Sequence, residues 1–157
     1  MDKTSVLFVC LGNICRSPAA EAIFQNLIND KGIGSQFIVD SAGTGSWHVG
    51  KKADSRMIYA AKQRNINITS YARQINTDDF LMFNYILVMD NSNFNKVIDL
   101  KNRVKGSDFA KILKIQDFSS TFNEKEVPDP YFGGDSGFDH VLDILEDSVS
   151  CFLEDIT

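Results

Sequence analysis

Residues 5–9 read Ser5-Val6-Leu7-Phe8-Val9, an apolar run that does not alternate and that stops at Cys10. A strand of alternating character can rest one face on water, whereas a continuous run must be covered on both faces. The run is rich in β-branched and aromatic side chains and reads as a buried strand. A loop, Cys10-Leu11-Gly12-Asn13-Ile14-Cys15-Arg16-Ser17, leads straight into a helical pattern. Ser17-Pro18 reads as an N-cap followed by proline at the first helical position. Glu21 falls in the first turns, where negative charge suits the helix dipole. Ala20, Ile23, Phe24, Leu27 and Ile28 recur at helical spacing, and Gly32 and Gly34 end the helix. A doubly buried strand followed by a helix points to a layered α/β fold with a parallel sheet.

The alternation continues along the chain. Phe37-Ile38-Val39 is a second strand, and Ser41 to Lys52 is a loop with three glycines. Asp54 caps a helix that runs to about Arg64. Thr77-Asp78-Asp79 starts a short helical piece. Tyr85 to Met89 is the most apolar strand, Asn91 to Lys101 a helix, and Lys111 to Ile115 a fourth, more polar strand. Asp117 to Gly134 is irregular. A last helix begins near Asp135 and carries the stripe Phe138, Val141, Leu142, Leu145, Val149 and Phe152. At 157 residues the chain is expected to form a single domain, residues 1–157. Ligands of such sheets bind at the carboxyl ends of strands, which places Cys10, Asp40-Ser41 and Asp90 near one rim.

Several function classes are excluded. Three cysteines, an odd number without a C-x-x-C pair, make neither a disulfide scaffold nor a structural zinc site. The apolar run near the N-terminus is too short for a signal peptide or a membrane span, so a soluble, cytoplasmic protein without a membrane partner is expected. The net charge is −5, yet residues 124–157 hold ten carboxylates against one lysine while residues 1–123 have a net +4. The basic residues are scattered and form no nucleic-acid platform. No G-x-x-x-x-G-K-[ST] is present, and Gly43-Thr44-Gly45-Ser46-Trp47-His48 fails a dinucleotide fingerprint at its third glycine.

The loop after the first strand is instead a cradle for an oxyanion such as phosphate. Gly12, and Asn13 beside it, are suited to positive φ, which turns successive amides inward. The helix N-terminus adds positive potential, and Arg16 adds a planar fork that grips two oxygens. A thiolate at Cys10 is stabilised in that field, and Ser17 is placed to donate to its sulfur. Asp129, fixed between two prolines in Val127-Pro128-Asp129-Pro130-Tyr131, is the candidate proton donor to a leaving oxygen. Trp47 and Tyr131 are expected to wall the pocket and stack an aromatic substrate. His48 reads as a solvated loop residue. Lys51, Lys52 and Arg56 hint at acidic phosphopeptides.

These residues resemble the low-molecular-weight protein tyrosine phosphatases across nearly the whole chain. The resemblance rests on Val9 to Pro18, Asp40-Ser41-Ala42-Gly43-Thr44, Ala72-Arg73-Gln74-Ile75, Tyr85 to Asp90 and Val127 to Tyr131. It implies a three-layer α/β fold, a four-stranded, twisted parallel sheet with helices on both faces and the phosphate-binding loop after strand one. It also implies hydrolysis of phosphotyrosine proteins and small aryl phosphates with no cofactor and no metal. Cys10 would form a phosphocysteine, Asp129 would act as general acid and then base, and Arg16 with the loop residues Leu11, Gly12, Asn13, Ile14, Cys15 and Ser17 would hold the phosphoryl group. Asn13, Ser17 and Ser41 match a hydrogen-bond network that supports the loop, and Asp90 matches a carboxylate that places the arginine. Cys15 matches the partner of a reversible disulfide with Cys10.

Two positions depart from the family. Ser70 stands where a histidine is common, which leaves the network around Asn13 without that group. Phe132 stands where a second tyrosine is common, so Tyr131 remains as the phosphorylation candidate of that loop. Three alternatives stay open. An arsenate reductase on the same scaffold needs further cysteines, and residues 80–100 have none. A phosphocysteine carrier needs no proton donor such as Asp129. A phosphotyrosine-binding module with little turnover usually lacks the nucleophile, and Cys10 is present.

Overall fold

Four parallel strands form one sheet in the computed structural model, which describes residues 2–104, 106, 110–131, 133–134 and 136–157. They are β1 (Thr4–Cys10), β2 (Phe37–Gly43), β3 (Tyr85–Val88) and β4 (Lys111–Lys114), in the order β2-β1-β3-β4. The helices are α1 (Arg16–Asp30), α2 (Ser55–Lys62), α3 (Asp79–Met82), α4 (Asn91–Lys101) and α5 (Ser136–Ile156), with 3-10 turns at Gly34–Gln36 and Ile115–Phe118. Asp135, the expected start of the last helix, and Phe132 lie outside the described residues.

β1 is central: Val6 pairs with Val39 on one side and with Tyr85 on the other. Its alternate side chains therefore enter two different cores. Val6, Phe8 and Cys10 face a core built with Phe24 and Ile28 of α1, Met57 of α2 and Phe138, Leu142 and Phe152 of α5. Leu7 and Val9 face a second core with Phe80 of α3, Val97 of α4 and Ile86 and Val88 of β3. Helices thus cover both faces, which makes three layers and explains why β1 does not alternate. The apolar stripe of α5 lies in the first core. There Phe24 meets Phe8, Phe37 and Phe152 at ring-centroid distances of 5.8, 5.3 and 6.2 Å. Among the described residues no helix is long and apolar enough to cross a membrane.

Two of the boundaries that differ from the sequence reading bear on the site. β2 does not stop at Val39 but continues through Asp40, Ser41 and Ala42 to Gly43. The reason is its neighbour, because β1 runs to Cys10 and needs a partner ladder there, which pairs Cys10 with Gly43. The helix after β1 starts at Arg16 with Cys15 as its cap residue, and no side chain caps it. The hydroxyl of Ser17 is committed to the loop instead. Pro18 remains acceptable within the first turn, where amides have no partner inside the helix.

The chain leaves β1 toward β2 on one side and, after a longer path, reaches β3 on the other. Such a reversal opens a crevice at the carboxyl ends of the strands. Cys10 and Asp90 stand at its two lips, one at the end of β1 and the other just beyond β3.

Candidate active site

Cys10 ends β1 with its side chain buried. Its sulfur lies 3.0 Å from Ser17 Oγ and accepts the Asn13 amide at 3.3 Å. Asn13 makes the turn possible. It adopts φ 58°, a left-handed conformation that asparagine tolerates better than most residues. The expectation of a positive φ at Gly12 fails, since the described residues with positive φ include Asn13 but not Gly12. A Cβ at Gly12 would come within 2.9 Å of the His48 ring, so that ring would have to shift to admit one.

The side chain of Asn13 fixes the loop from inside. Its amide nitrogen donates to Ser17 Oγ at 2.8 Å and to Ser41 Oγ at 3.0 Å, while its carbonyl accepts the Arg73 amide at 2.9 Å. Ser41 in turn donates to Glu21 at 2.5 Å. Burial pushes the Glu21 carboxyl upward, with Asp40 acting in the same sense, while the hydroxyls of Ser41 and Ser70 oppose the shift. Ser70 thus acts on the Glu21 carboxyl, at the far end of this network. The sequence placed Glu21 where its charge suits the helix dipole; in the fold it also accepts the Ser41 hydroxyl behind Asn13. Gly43 completes the cradle from outside, where a Cβ would lie 2.7 Å from the Leu11 carbonyl oxygen.

Arg16 is buried at the start of α1. Its Nη1 donates to Asp90 Oδ2 at 2.6 Å and to the Val127 carbonyl at 3.1 Å, and Nη2 lies 3.6 Å from Asp129 Oδ2. Burial works against its charge, but Cys10, Asp90 and Asp129 outweigh it and hold the guanidinium above its ordinary range. Asp90 does two jobs, since its other oxygen caps α4 by accepting the Asn93 amide at 2.7 Å. Cys15 contrasts with this. Burial pushes its thiol far up, and the nearby Asp54 and Cys10 add to the shift, so it stays protonated.

The carboxylate of Asp129 is about one-third exposed on the opposite rim. Upstream, the Val127 amide donates to Met89 at 2.9 Å. Downstream, the Tyr131 amide donates to Asp129 Oδ1 at 3.1 Å and orients the carboxylate. Between the two loops lies a cavity of about 220 Å³, floored by Cys10, Leu11, Gly12, Ile14, Cys15 and Arg16 and walled by Trp47, His48, Asp129 and Tyr131. That is smaller than the ~300–1,000 Å³ of sites for drug-sized molecules, so it takes a small head group. Trp47 is largely exposed at the mouth. His48, read as solvated, is half-buried on the wall, with its ring centroid 6.0 Å from that of Tyr131. The signal for it was its place beside Trp47. The Arg56 side chain is part-exposed. It is tied to Asp54 and to the Tyr131 carbonyl.

A buried cysteine over an amide-and-arginine cradle, with an aspartate on the facing rim, narrows the comparison with known proteins. The chain matches the family model for low molecular weight phosphotyrosine protein phosphatase over residues 5–157. It belongs to that family. It is 44% identical over 154 residues to the low molecular weight phosphotyrosine protein phosphatase of Schizosaccharomyces pombe, a match covering 96% of both chains. Among solved structures, it matches a protein tyrosine phosphatase from Entamoeba histolytica, crystallised with Hepes in the active site, with a TM-score of 0.90 and 43% identity over 98% of this chain and 97% of that one. It also matches the Drosophila arginine phosphatase DARP, with a TM-score of 0.92 and 34% identity over 97% of each. Low molecular weight phosphotyrosine phosphatases are cysteine-dependent hydrolases, and Cys10 after β1 stands where such an enzyme needs its cysteine.

Proposed function

We propose that the chain is a cytoplasmic phosphotyrosine protein phosphatase that works as one domain, residues 1–157, without metal or cofactor. One juxtaposition supports this best. The Cys10 sulfur, bonded by Ser17 and the Asn13 amide, sits beside the Arg16 guanidinium and across the cavity from Asp129.

In the proposed reaction the phosphate oxygens take the amides of residues 11–16 and the Arg16 fork. The substrate ring lies between Trp47 and Tyr131. The Cys10 thiolate attacks phosphorus, the bond to the phenolic oxygen breaks, and Asp129 hands that oxygen its proton. Water then attacks the phosphocysteine while Asp129 takes its proton. The sulfur–phosphorus bond breaks, releasing inorganic phosphate and restoring the thiolate. Asp90 positions Arg16; Ser41, with Ser70 behind it through Glu21, positions Asn13. Cys15, held as a thiol, is the proposed partner of Cys10 in a reversible disulfide: a peroxide oxidises the Cys10 thiolate to a sulfenic acid, and the Cys15 sulfur then displaces its oxygen as water.

The structural relative named an arginine phosphatase raises a second substrate, phosphoarginine. The cavity favours the aryl ester. Asp129 is the one carboxylate among its described lining residues, and the remaining walls are aliphatic or aromatic in the main. A cationic guanidine finds little counter-charge there.

The test is hydrolysis of p-nitrophenyl phosphate with EDTA present, by wild type, Cys10→Ser and Asp129→Ala, followed by a phosphotyrosine peptide and a phosphoarginine peptide. Turnover by wild type, none by Cys10→Ser and a strong slowing by Asp129→Ala support the reading. An inactive wild type that still binds phosphotyrosine overturns it in favour of a binding module. A preference for phosphoarginine overturns the substrate assignment.

A further inference from the structure

The mechanism requires Asp129 to stand at a set distance from a sulfur that belongs to a different loop. Upstream of Asp129 the connection is direct, through Arg16 on the Val127 carbonyl. Downstream, the bonds from the Tyr131 amide to Asp129 and from the Gly133 amide to Pro130 lie within the loop itself. Bonds of that kind shape a loop without fixing where it stands relative to the rest of the protein.

Arg56, in the first turn of α2, supplies an external tie. Its Nη2 donates to the Tyr131 carbonyl at 3.0 Å. The guanidinium is itself held on three sides. It forks onto Asp54, with Nε to Oδ1 at 3.1 Å and Nη2 to Oδ2 at 2.9 Å. Its Cζ lies 4.7 Å from the Phe138 ring centroid and 5.6 Å from that of Tyr131. A planar group gripped by a carboxylate and stacked on rings has few other places to go. Asp54 is anchored in turn: its backbone amide donates to the Ile14 carbonyl at 2.8 Å, inside the phosphate loop.

The geometry points to Arg56 as a positioning residue for the proton donor. It holds the Asp129 loop in register with the Cys10 loop along the path Ile14, Asp54, Arg56, Tyr131, Asp129. This inference rests on the reading of Asp129 as the general acid. Arg56 is absent from the cavity lining, so it acts through Tyr131 and not on the substrate.

A merely structural residue would depress every substrate alike, whereas one that aims the acid matters most where the leaving oxygen most needs a proton. The experiment measures kcat/KM for aryl phosphates whose leaving phenols range from weakly to strongly acidic. It compares wild type, Arg56→Ala, Arg56→Lys, Asp129→Ala and Arg56→Ala/Asp129→Ala. General acid catalysis contributes ~10²–10⁴-fold, and small misplacements cost up to about 10²-fold. Arg56→Ala is therefore expected to lose about 10- to 100-fold on phenyl phosphate, and no more than about 3-fold on p-nitrophenyl phosphate. Arg56→Lys, which keeps the charge and much of the chain, should recover part of the loss and supplies the folded comparison if the alanine variant does not fold. The double variant should be no slower than Asp129→Ala, because the acid that Arg56 aims is already gone. Inhibition by inorganic phosphate should stay at the wild-type level in both Arg56 variants. An equal loss on all leaving groups, or a double variant slower than Asp129→Ala, overturns the role of Arg56. If Asp129→Ala itself shows no dependence on the leaving group, the acid assignment fails first, and the positioning role falls with it for that separate reason.

Discussion

The two loops that meet over the cavity are built on opposite plans. The phosphate loop is buried, and its central residue, Asn13, is bonded to Ser17, to Ser41 and to the Arg73 amide, which belong to three different parts of the fold. The acid loop is exposed at Asp129 and is shaped by two prolines, one Asx turn and the contact with Arg56. Stabilising a phosphoryl group requires many dipoles held in place before the charge moves, because their benefit comes from not having to reorganise. Delivering a proton requires reach, direction and a group that carries the proton at the working pH, all of which a single side chain supplies. The first loop is therefore bound up with the stability of the fold, and the second should be largely separable from it.

Arg16→Lys tests the first half of that contrast most severely. A lysine cannot keep both the tie to Asp90 and a two-oxygen grip on phosphate. The expected loss is about 10³-fold in kcat/KM for p-nitrophenyl phosphate, with weaker inhibition by inorganic phosphate. A loss below about tenfold would erase the difference between the loops.

Asn13→Ala should lower both activity and stability. Forcing alanine into the left-handed region costs about 1–2 kcal/mol, and the lost hydrogen bonds add about 1 kcal/mol each. Urea unfolding should register the sum, and Asn13→Gly should recover the first part but not the second. Equal destabilisation by alanine and glycine would show that conformation plays no part.

Asp147 sharpens the comparison, since it is a loop-binding carboxylate with the opposite surroundings to Asp129. It accepts from the hydroxyls of Ser119, Ser120 and Thr121 and from the amides of Ser120 and Thr121. Burial opposes its ionisation, but the bonds from Ser120 and Ser119 outweigh it and lower the carboxyl to about 2. A lowered folded value means that its contribution to stability is complete above the unfolded value near 4 and vanishes as the pH falls through the folded one. Asp147→Asn should therefore unfold at lower urea than wild type at pH 7, and the gap should close between about pH 4 and pH 2. A gap that persists unchanged at pH 2 would show that the carboxylate's charge is not its source.

The smallest expected change is in the stability of Asp129→Asn. If the acid loop is separable, its unfolding free energy should stay within about 0.5 kcal/mol of wild type. A larger loss would make Asp129 a structural residue as well.

Legibility in the sequence followed the same division. β1 and β3 were readable because burial on both faces leaves an unbroken apolar run. Asp54 was readable as the start of a helix because capping is local, whereas the cap that Asp90 makes on α4 emerges only in the fold. The far end of β2 was not, since Asp40 to Gly43 are polar or small and become a strand only because β1 lies beside them. Ser17 looked like a cap because a serine before a proline usually is one, but Asn13 donates to its oxygen while the Cys10 sulfur and the Ala42 carbonyl compete for its hydrogen. Cys10, Arg16 and Asp129 could be picked out from motif and chemistry. Asn13, Ser17, Ser41 and Asp90 were legible beside them through the family likeness, whereas the bond of Ser41 to Glu21 and that of Arg56 to the Tyr131 carbonyl join distant parts of the chain, which no local pattern records.

Ser17 carries one hydroxyl hydrogen and faces two acceptors, the Cys10 sulfur at 3.0 Å and the Ala42 carbonyl at 3.3 Å. Asn13 donates to its oxygen throughout, so the oxygen stays put and only the hydrogen is free to turn. With the sulfur anionic, the hydrogen belongs on sulfur, because bonds to a charged partner are the stronger ones. Once the sulfur is bonded to phosphorus that charge is gone, and the carbonyl becomes the better partner. In the proposed reaction the hydroxyl is then a rotor with two stops, turning once in each direction per cycle. It leaves no donor stranded in either half of the reaction, although nothing heavier than a proton has moved.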